Sequence, residues 1–149
     1  SGNRICRFAE GDVNPQGTTA RGVRGIKLEA GETVCGCGTI PSGSASVDVI
    51  AATARGRFRR CEAGGIKRTG RDTRGFKVFS SIVTDDALVG LAIIRHGQVL
   101  KYTTVLMRSG IIAPGTIPIS EAADRGREVI TLKANNPLSR VVGFDADVT

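Results

Sequence analysis

The sequence has no tryptophan, one tyrosine, one methionine and a single histidine, and aromatic residues make up only 4% of it. A platform on which unpaired nucleobases could stack is therefore poorly supplied. The lone His96 lies in an Arg-His-Gly turn, so an imidazole-based catalytic pair has little to draw on. Its only apolar run of note, 87–94, is broken by a glycine and far too short to span a bilayer, and no basic-then-apolar leader opens the sequence. A phosphate-cradling G-x4-G-K-[ST] loop is missing as well, which argues against nucleotide binding. Four cysteines are present, Cys6, Cys35, Cys37 and Cys61. The C-x-C pair at Cys35 and Cys37 is tighter than the usual zinc knuckle. These thiols read as small packed groups in a reducing compartment, with no disulfide, metal or other cofactor implied.

What remains is glycine, short aliphatic runs and positive charge. The chain has 149 residues, 20 of them glycine, 21 basic and 14 acidic, for a net charge of +7. That length predicts a single domain burying roughly 70% of its unfolded surface. The charge is unevenly spread. Residues 1–54 and 78–149 are each neutral overall, and residues 55–77 carry nine basic groups against Glu62 and Asp72. Such a block is a candidate electrostatic footprint for a polyanion.

β-Branched and aliphatic runs recur at 47–50, 77–79, 91–94, 99–102, 129–132 and 141–142, with Gly, Pro and Asn turns between them. Only 120–127 has a helical flavour. The pattern predicts an all-β architecture. It also repeats. The pairs Arg21-Gly22, Arg74-Gly75 and Arg125-Gly126 fall 53 and 51 residues apart, and Gly36, Gly90 and Gly143, each after a valine-containing pair, fall 54 and 53 apart. Apolar–basic strands at 5–8 and 58–61 precede the first two Arg-Gly pairs by 14 residues, counted from Arg7 and Arg60. A similar strand at 99–102 precedes the third by 24, which predicts about ten extra residues near 107–118. A period near 50 with about four strands per unit predicts a propeller-like array of about three four-stranded blades, roughly 1–46, 47–97 and 98–149. The phase would let 145–149 lead into 1–7 and latch a ring; an open arc, a longer array or a homodimer are the alternatives.

The residues that carry this period resemble a known family. Residues 17–34, with Arg21-Gly22-Val23-Arg24-Gly25-Ile26-Lys27-Leu28 at their centre, resemble the blade signature of the C-terminal domain of bacterial DNA gyrase and topoisomerase IV A subunits. Residues 70–77 are a second copy, 50–60 resemble the strand pair that precedes it, and the copy at Arg125 is degenerate. The resemblance implies a β-pinwheel, propeller-like blades whose outer strand is exchanged between neighbours. It implies a non-catalytic, cytoplasmic and nucleoid-associated domain of an ATP-dependent type IIA topoisomerase, partnered by double-stranded DNA and the rest of the A subunit. The glutamine-arginine-glycine-lysine box of gyrases, associated with full wrapping, is absent, and 70–77 is the nearest sequence.

The candidate DNA-binding residues are Arg55, Arg57, Arg59, Arg60, Lys67, Arg68, Arg71, Arg74 and Lys77. Strand alternation predicts Phe58 facing the core with Arg57 and Arg59 opposite it, facing solvent. Arginine and lysine neutralise phosphates without reading sequence, so duplex binding and bending along a basic rim is the expected function. Arg21, Arg24 and Lys27 either extend that track or pair with neighbours such as Glu29 and Glu32. In the third unit Asp124 and Glu128 offset Arg125 and Arg127, so least DNA contact is expected there. Asp85-Asp86 reads as a turn and Tyr102 as a packed strand residue. The alternative function is a protein-interaction module that keeps the blades without the DNA role.

Overall fold

The structure is a computed structural model that describes residues 2–43 and 46–145. The fold is all-β. Among the described residues the strands are β1 (Arg4–Ile5), β2 (Val47–Thr53), β3 (Arg57–Glu62), β4 (Phe76–Lys77), β5 (Leu88–Arg95), β6 (Gln98–Thr104), β7 (Ser109–Ile112), β8 (Arg127–Glu128) and β9 (Leu138–Asp145). They form three antiparallel sheets, β1-β4, β5-β2-β3-β8 and β7-β6-β9, so only the middle sheet reaches four strands. The expected latch at 145–149 falls mostly outside the described residues.

Strand β2 is buried along its whole length, as its nearly continuous apolar run demands of a central strand. Strand β5 alternates buried and half-buried residues and so turns one face to the core. The sheets are completed by exchange, in the sense the resemblance implies. The short strand β8, which follows Gly126, pairs with β3 through Arg57↔Glu128 and Phe58↔Arg127. In the same way β4, which follows Gly75, pairs with β1 through Arg4↔Lys77 and Ile5↔Phe76. Both of these sheets are thus finished by a strand from the next Arg-Gly segment.

That exchange explains the repeated Arg-Gly glycine. Gly75 and Gly126 have φ of +62° and +66°, and a Cβ on either would run into the backbone carbonyl of Ile5 or Phe58. The Val-Gly glycines answer to a different need, which is space. A Cβ on Gly90 would lie 2.6 Å from Val141 Cγ2, and one on Gly36 would lie 3.1 Å from the Leu91 backbone nitrogen. Successive inner segments pack at these points, and the main core lies beside them, around Ile50, Phe58, Leu100, Ile117 and Leu138.

Two expectations are corrected. No extra residues interrupt the third unit. The interval 107–118 holds β7 and a 3-10 turn at Pro114–Thr116, which matches the turns at Ala63–Gly65 and Glu10–Asp12 at intervals of 51 and 53 residues. The counterpart of Arg7 and Arg60 is therefore Ile111, on β7, and not a residue of β6. An apolar residue at the basic position hides the true strand. Residues 120–127 are not helical either. Ser120 Oγ donates to the Ala122 carbonyl and Asp124 Oδ1 accepts the Gly126 amide, local bonds that compete with a helix.

Candidate nucleic-acid interface

The candidate cations fall into two groups. The first holds the sheets to one another. Arg60 meets Asp48 at 2.6 Å and reaches across to the carbonyls of Pro114 and Ile117 at 3.1 and 3.5 Å, around the third 3-10 turn. Arg7 does the same one unit earlier, donating to Ala63 and Ile66 carbonyls at 2.8 and 2.7 Å around the second turn. The two arginines and their two acceptor pairs keep the 53- and 51-residue intervals. Arg7 was not among the sequence candidates. Its signal was its place 53 residues before Arg60, three residues ahead of the Glu10-Gly11-Asp12 turn.

Phe58 is buried as expected, but Arg57 and Arg59 do not face open solvent. Arg57 donates to the Arg125 and Gly126 carbonyls at 2.9 Å, clamping the exchanged segment. Arg59 is buried, donates to the Ser120 carbonyl at 3.2 Å and lies 4.0 Å from Asp124. The cause is the exchange itself, because the segment leading to β8 covers the face of β3 that a two-stranded hairpin would leave open.

Arg71 donates to the Asp12 and Arg24 carbonyls at 2.9 and 3.1 Å. Arg74 binds Glu29 and Glu32, each at 3.0 Å. The Glu29 amide and the Arg74 guanidinium hold the Glu32 carboxyl below its ordinary range, against an opposing effect of burial. Arg24 makes an exposed ion pair with Asp72 at 3.3 Å. Four of the acids that answer the basic block, Asp48, Glu29, Glu32 and Asp124, come from outside it. The charge segregated along the chain is thus partly mixed again in space.

The second group is exposed and makes no side-chain hydrogen bond or ion pair among the described residues. It comprises Arg55, Lys67, Arg68 and Lys77 from the block, with Arg21 and Lys27 from the first Arg-Gly segment. Arg55 lies in the β2–β3 turn, Lys67 and Arg68 follow the second 3-10 turn, and Lys77 ends β4.

Elsewhere the chemistry is spare. All four cysteines are free; burial pushes the Cys35 and Cys61 thiols up, which keeps them neutral. No group of three or more metal-ligating side chains comes together among the described residues. His96 lies exposed in the β5–β6 turn, and Tyr102 packs in β6 over Gly110. Asp86 sits beside a turn and accepts the Arg55 and Ala87 amides. Among the described residues no helix is long and apolar enough to cross a membrane.

Propeller-like sheets completed by strands from following segments and locked by forward-reaching arginines define a β-pinwheel. Comparison with known proteins places it more narrowly. The family model described as "DNA gyrase C-terminal domain, beta-propeller" matches residues 1–38 and 48–95, and the chain belongs to that family. It is similar to the A subunit of DNA gyrase from Staphylococcus epidermidis, 31% identical over 101 residues, which is 68% of this chain and 10% of that protein. It is 30% identical to the corresponding Pseudomonas aeruginosa protein over 98 residues, 66% of this chain and again 10% of the relative. The match thus spans about a tenth of the length of either relative. Among solved structures, the C-terminal domain of DNA topoisomerase IV superposes with a TM-score of 0.87 at 20% identity, over 98% of this chain and 45% of that one. The DNA gyrase A C-terminal domain gives 0.50 at 14% identity, over 96% and 63%.

Proposed function

We propose that the chain binds duplex DNA without sequence preference, as part of the C-terminal domain of a DNA gyrase or topoisomerase IV A subunit. It supplies position rather than chemistry, holding a DNA segment for a cleavage centre carried elsewhere in that protein. The observation that carries this reading is the set of uncompensated cations Arg55, Lys67, Arg68 and Lys77 on a member of the gyrase family. Each can neutralise a phosphate and release a counterion. Arg21 and Lys27 extend the set. Arg57, Arg59, Arg60, Arg71 and Arg74 contribute to the field, while their hydrogen-bonding groups work inside the protein. Contacts spread along the edge of a curved array favour bent DNA, because a bend brings more phosphates within reach.

The test is a fluorescence anisotropy titration against a short duplex at several salt concentrations. The logarithm of wild-type affinity falls linearly with log salt. Replacing Arg55, Lys67, Arg68 and Lys77 together by alanine flattens the slope by about 0.9 for each phosphate no longer neutralised, with an unchanged thermal melt. An absence of binding at low salt, or an affinity indifferent to salt, refutes the proposal.

A further inference from the structure

Two hairpin turns of the array are built alike. The β2–β3 turn closes on Thr53, whose carbonyl accepts the Gly56 amide at 3.0 Å and whose Oγ1 accepts the Arg57 amide at 3.3 Å. The β6–β7 turn closes on Thr104 with the same two bonds, from Met107 at 3.0 Å and from Arg108 at 3.2 Å. In both units the tip amide is held by a side chain of the turn that follows. Asp86 Oδ1 accepts the Arg55 amide at 3.0 Å, and Asn136 Oδ1 accepts the Leu106 amide at 2.9 Å.

The two tips are also neighbours. Ala54 donates to the Ala87 carbonyl at 2.9 Å, and its own carbonyl accepts the Leu138 amide at 2.8 Å. The adjoining Pro137 carbonyl accepts the Val105 amide at 3.0 Å. One hydrogen-bonded run thus joins the residue before Arg55 to the residue before Leu106, and both tips lie along one margin of the protein.

The chemistry of the tip changes between them. Arg55 is a free cation, and Leu106, 51 residues later, is apolar and 58% exposed. That exposure does not depend on what pairs with β7. On β3 the exchanged segment is already in place and covers Gly56, yet Arg55 beside it stays exposed. Met107 holds the place of Gly56 and Leu106 that of Arg55, so Leu106 is the apolar group that stays outward. The surroundings change as well. Asn135-Asn136 stand beside the second tip where Asp85-Asp86 stand beside the first, and no acidic residue occurs from 87 to 120. Lys133, in the same turn as Asn136, is exposed and makes no side-chain hydrogen bond or ion pair among the described residues.

We propose that Leu106 is a wedge that enters the minor groove of bound duplex DNA and opens a base step, placing the bend at this tip. The inference rests on the DNA-binding reading above. With Arg55 against a phosphate, the neighbouring tip meets the same duplex. Lys133 and the lack of carboxylates draw the phosphate backbone in. A leucine has nothing to offer a phosphate, and the apolar surface a duplex can give it is the face of an unstacked base. Apolar side chains that enter the minor groove part neighbouring base pairs and kink the helix. Pyrimidine–purine steps unstack most easily, so the wedge adds a preference for deformable steps to phosphate contacts that read no sequence.

The experiment uses a short duplex with one central TA step in a G·C-rich setting, 2-aminopurine in place of the adenine of that step, and a dye pair at the ends. Affinity is read by anisotropy on a singly labelled copy. Wild type raises the 2-aminopurine fluorescence on binding, as unstacking does, and brings the ends closer. Leu106→Ser binds with an unchanged salt slope, but the fluorescence rise is lost and the bend is reduced. Leu106→Phe, which keeps an apolar wedge, retains both signals. Leu106→Arg steepens the salt slope by about 0.9, one phosphate contact more, and gives no fluorescence rise. All three variants keep the wild-type circular dichroism. Salt-dependent binding by wild type without a fluorescence rise overturns the wedge and leaves the DNA-binding reading standing. A rise that Leu106→Ser leaves intact does the same, and is the result expected of a tip that seats a protein partner instead. Absence of binding at low salt overturns both.

Discussion

Replacing Arg60 by alanine tests whether the basic block is structural at its centre. The guanidinium pairs with Asp48 at 2.6 Å, with the two side chains 19% and 12% exposed, and also holds carbonyls of the third sheet's turn. Removing one partner of a buried pair costs about 3–5 kcal/mol. The residual exposure here puts the expected loss near the lower end, at about 3 kcal/mol. Against a total stability of about 5–15 kcal/mol this is a large fraction. For a chain of this size it lowers the melting temperature by roughly 6–12 °C. Arg7→Ala breaks two comparable carbonyl contacts but strands no carboxylate, so its cost is about 2 kcal/mol. The double variant Asp48→Ala, Arg60→Ala loses less than the sum of the singles, because the orphaned acid has gone. Differential scanning calorimetry with urea titration at neutral pH measures wild type, the three single variants and the double. An Arg60→Ala melt within about 2 °C of wild type, or an Arg7→Ala chain less stable than Arg60→Ala, refutes the reasoning.

Three further outcomes are expected. Gly75→Ala destabilises by more than about 2 kcal/mol, because left-handed strain adds to collision with the Ile5 carbonyl; Gly22→Ala, with open space around its Cβ, costs about 1 kcal/mol, and equal urea midpoints for the two would contradict this. The depressed Glu32 carboxyl makes its share of stability full above the ordinary glutamate range and lost as pH falls through its lowered folded value. Glu32→Gln therefore narrows the stability gap between neutral and acidic pH, and an unchanged pH profile counts against the clamp. Under native conditions a thiol reagent labels exposed Cys37 first and buried, neutral Cys61 last. Mass mapping of partially labelled protein reads the order, and early labelling of Cys61 would contradict its burial.

The all-β class was legible in the short β-branched runs between turns and the period in marks at fixed intervals, while the strand exchange was implied only by the family resemblance. Gly75 and Gly126 must be glycine to let a carbonyl pass, and Gly36 and Gly90 must be glycine to let inner segments meet, so the spacing survives where other residues drift. The third edge is hidden because Ile111 occupies the position that Arg7 and Arg60 mark by charge, while Lys101 in β6 offers a decoy in a similar apolar setting. The site was less legible than the fold. Charge counted along 55–77 says how many cations there are, but not which are already engaged. Arg59 and Arg60 sit next to each other in β3 and meet acids 65 residues ahead and 12 behind, Asp124 and Asp48. Nothing local in the sequence announces either partner.

The exchanged strands also set an order of events during synthesis. The edge at β1 waits for residue 76 before its partner strand exists, and β3 waits for residue 127. Arg7 similarly has no acceptor until Ala63 and Ile66 have been made. As the chain leaves the ribosome, each receiving edge strand therefore emerges without its partner, and more than sixty further residues must follow before that edge is paired. Neither sheet is an independent folding unit, and native pairing advances in step with translation, always one repeat behind the growing end.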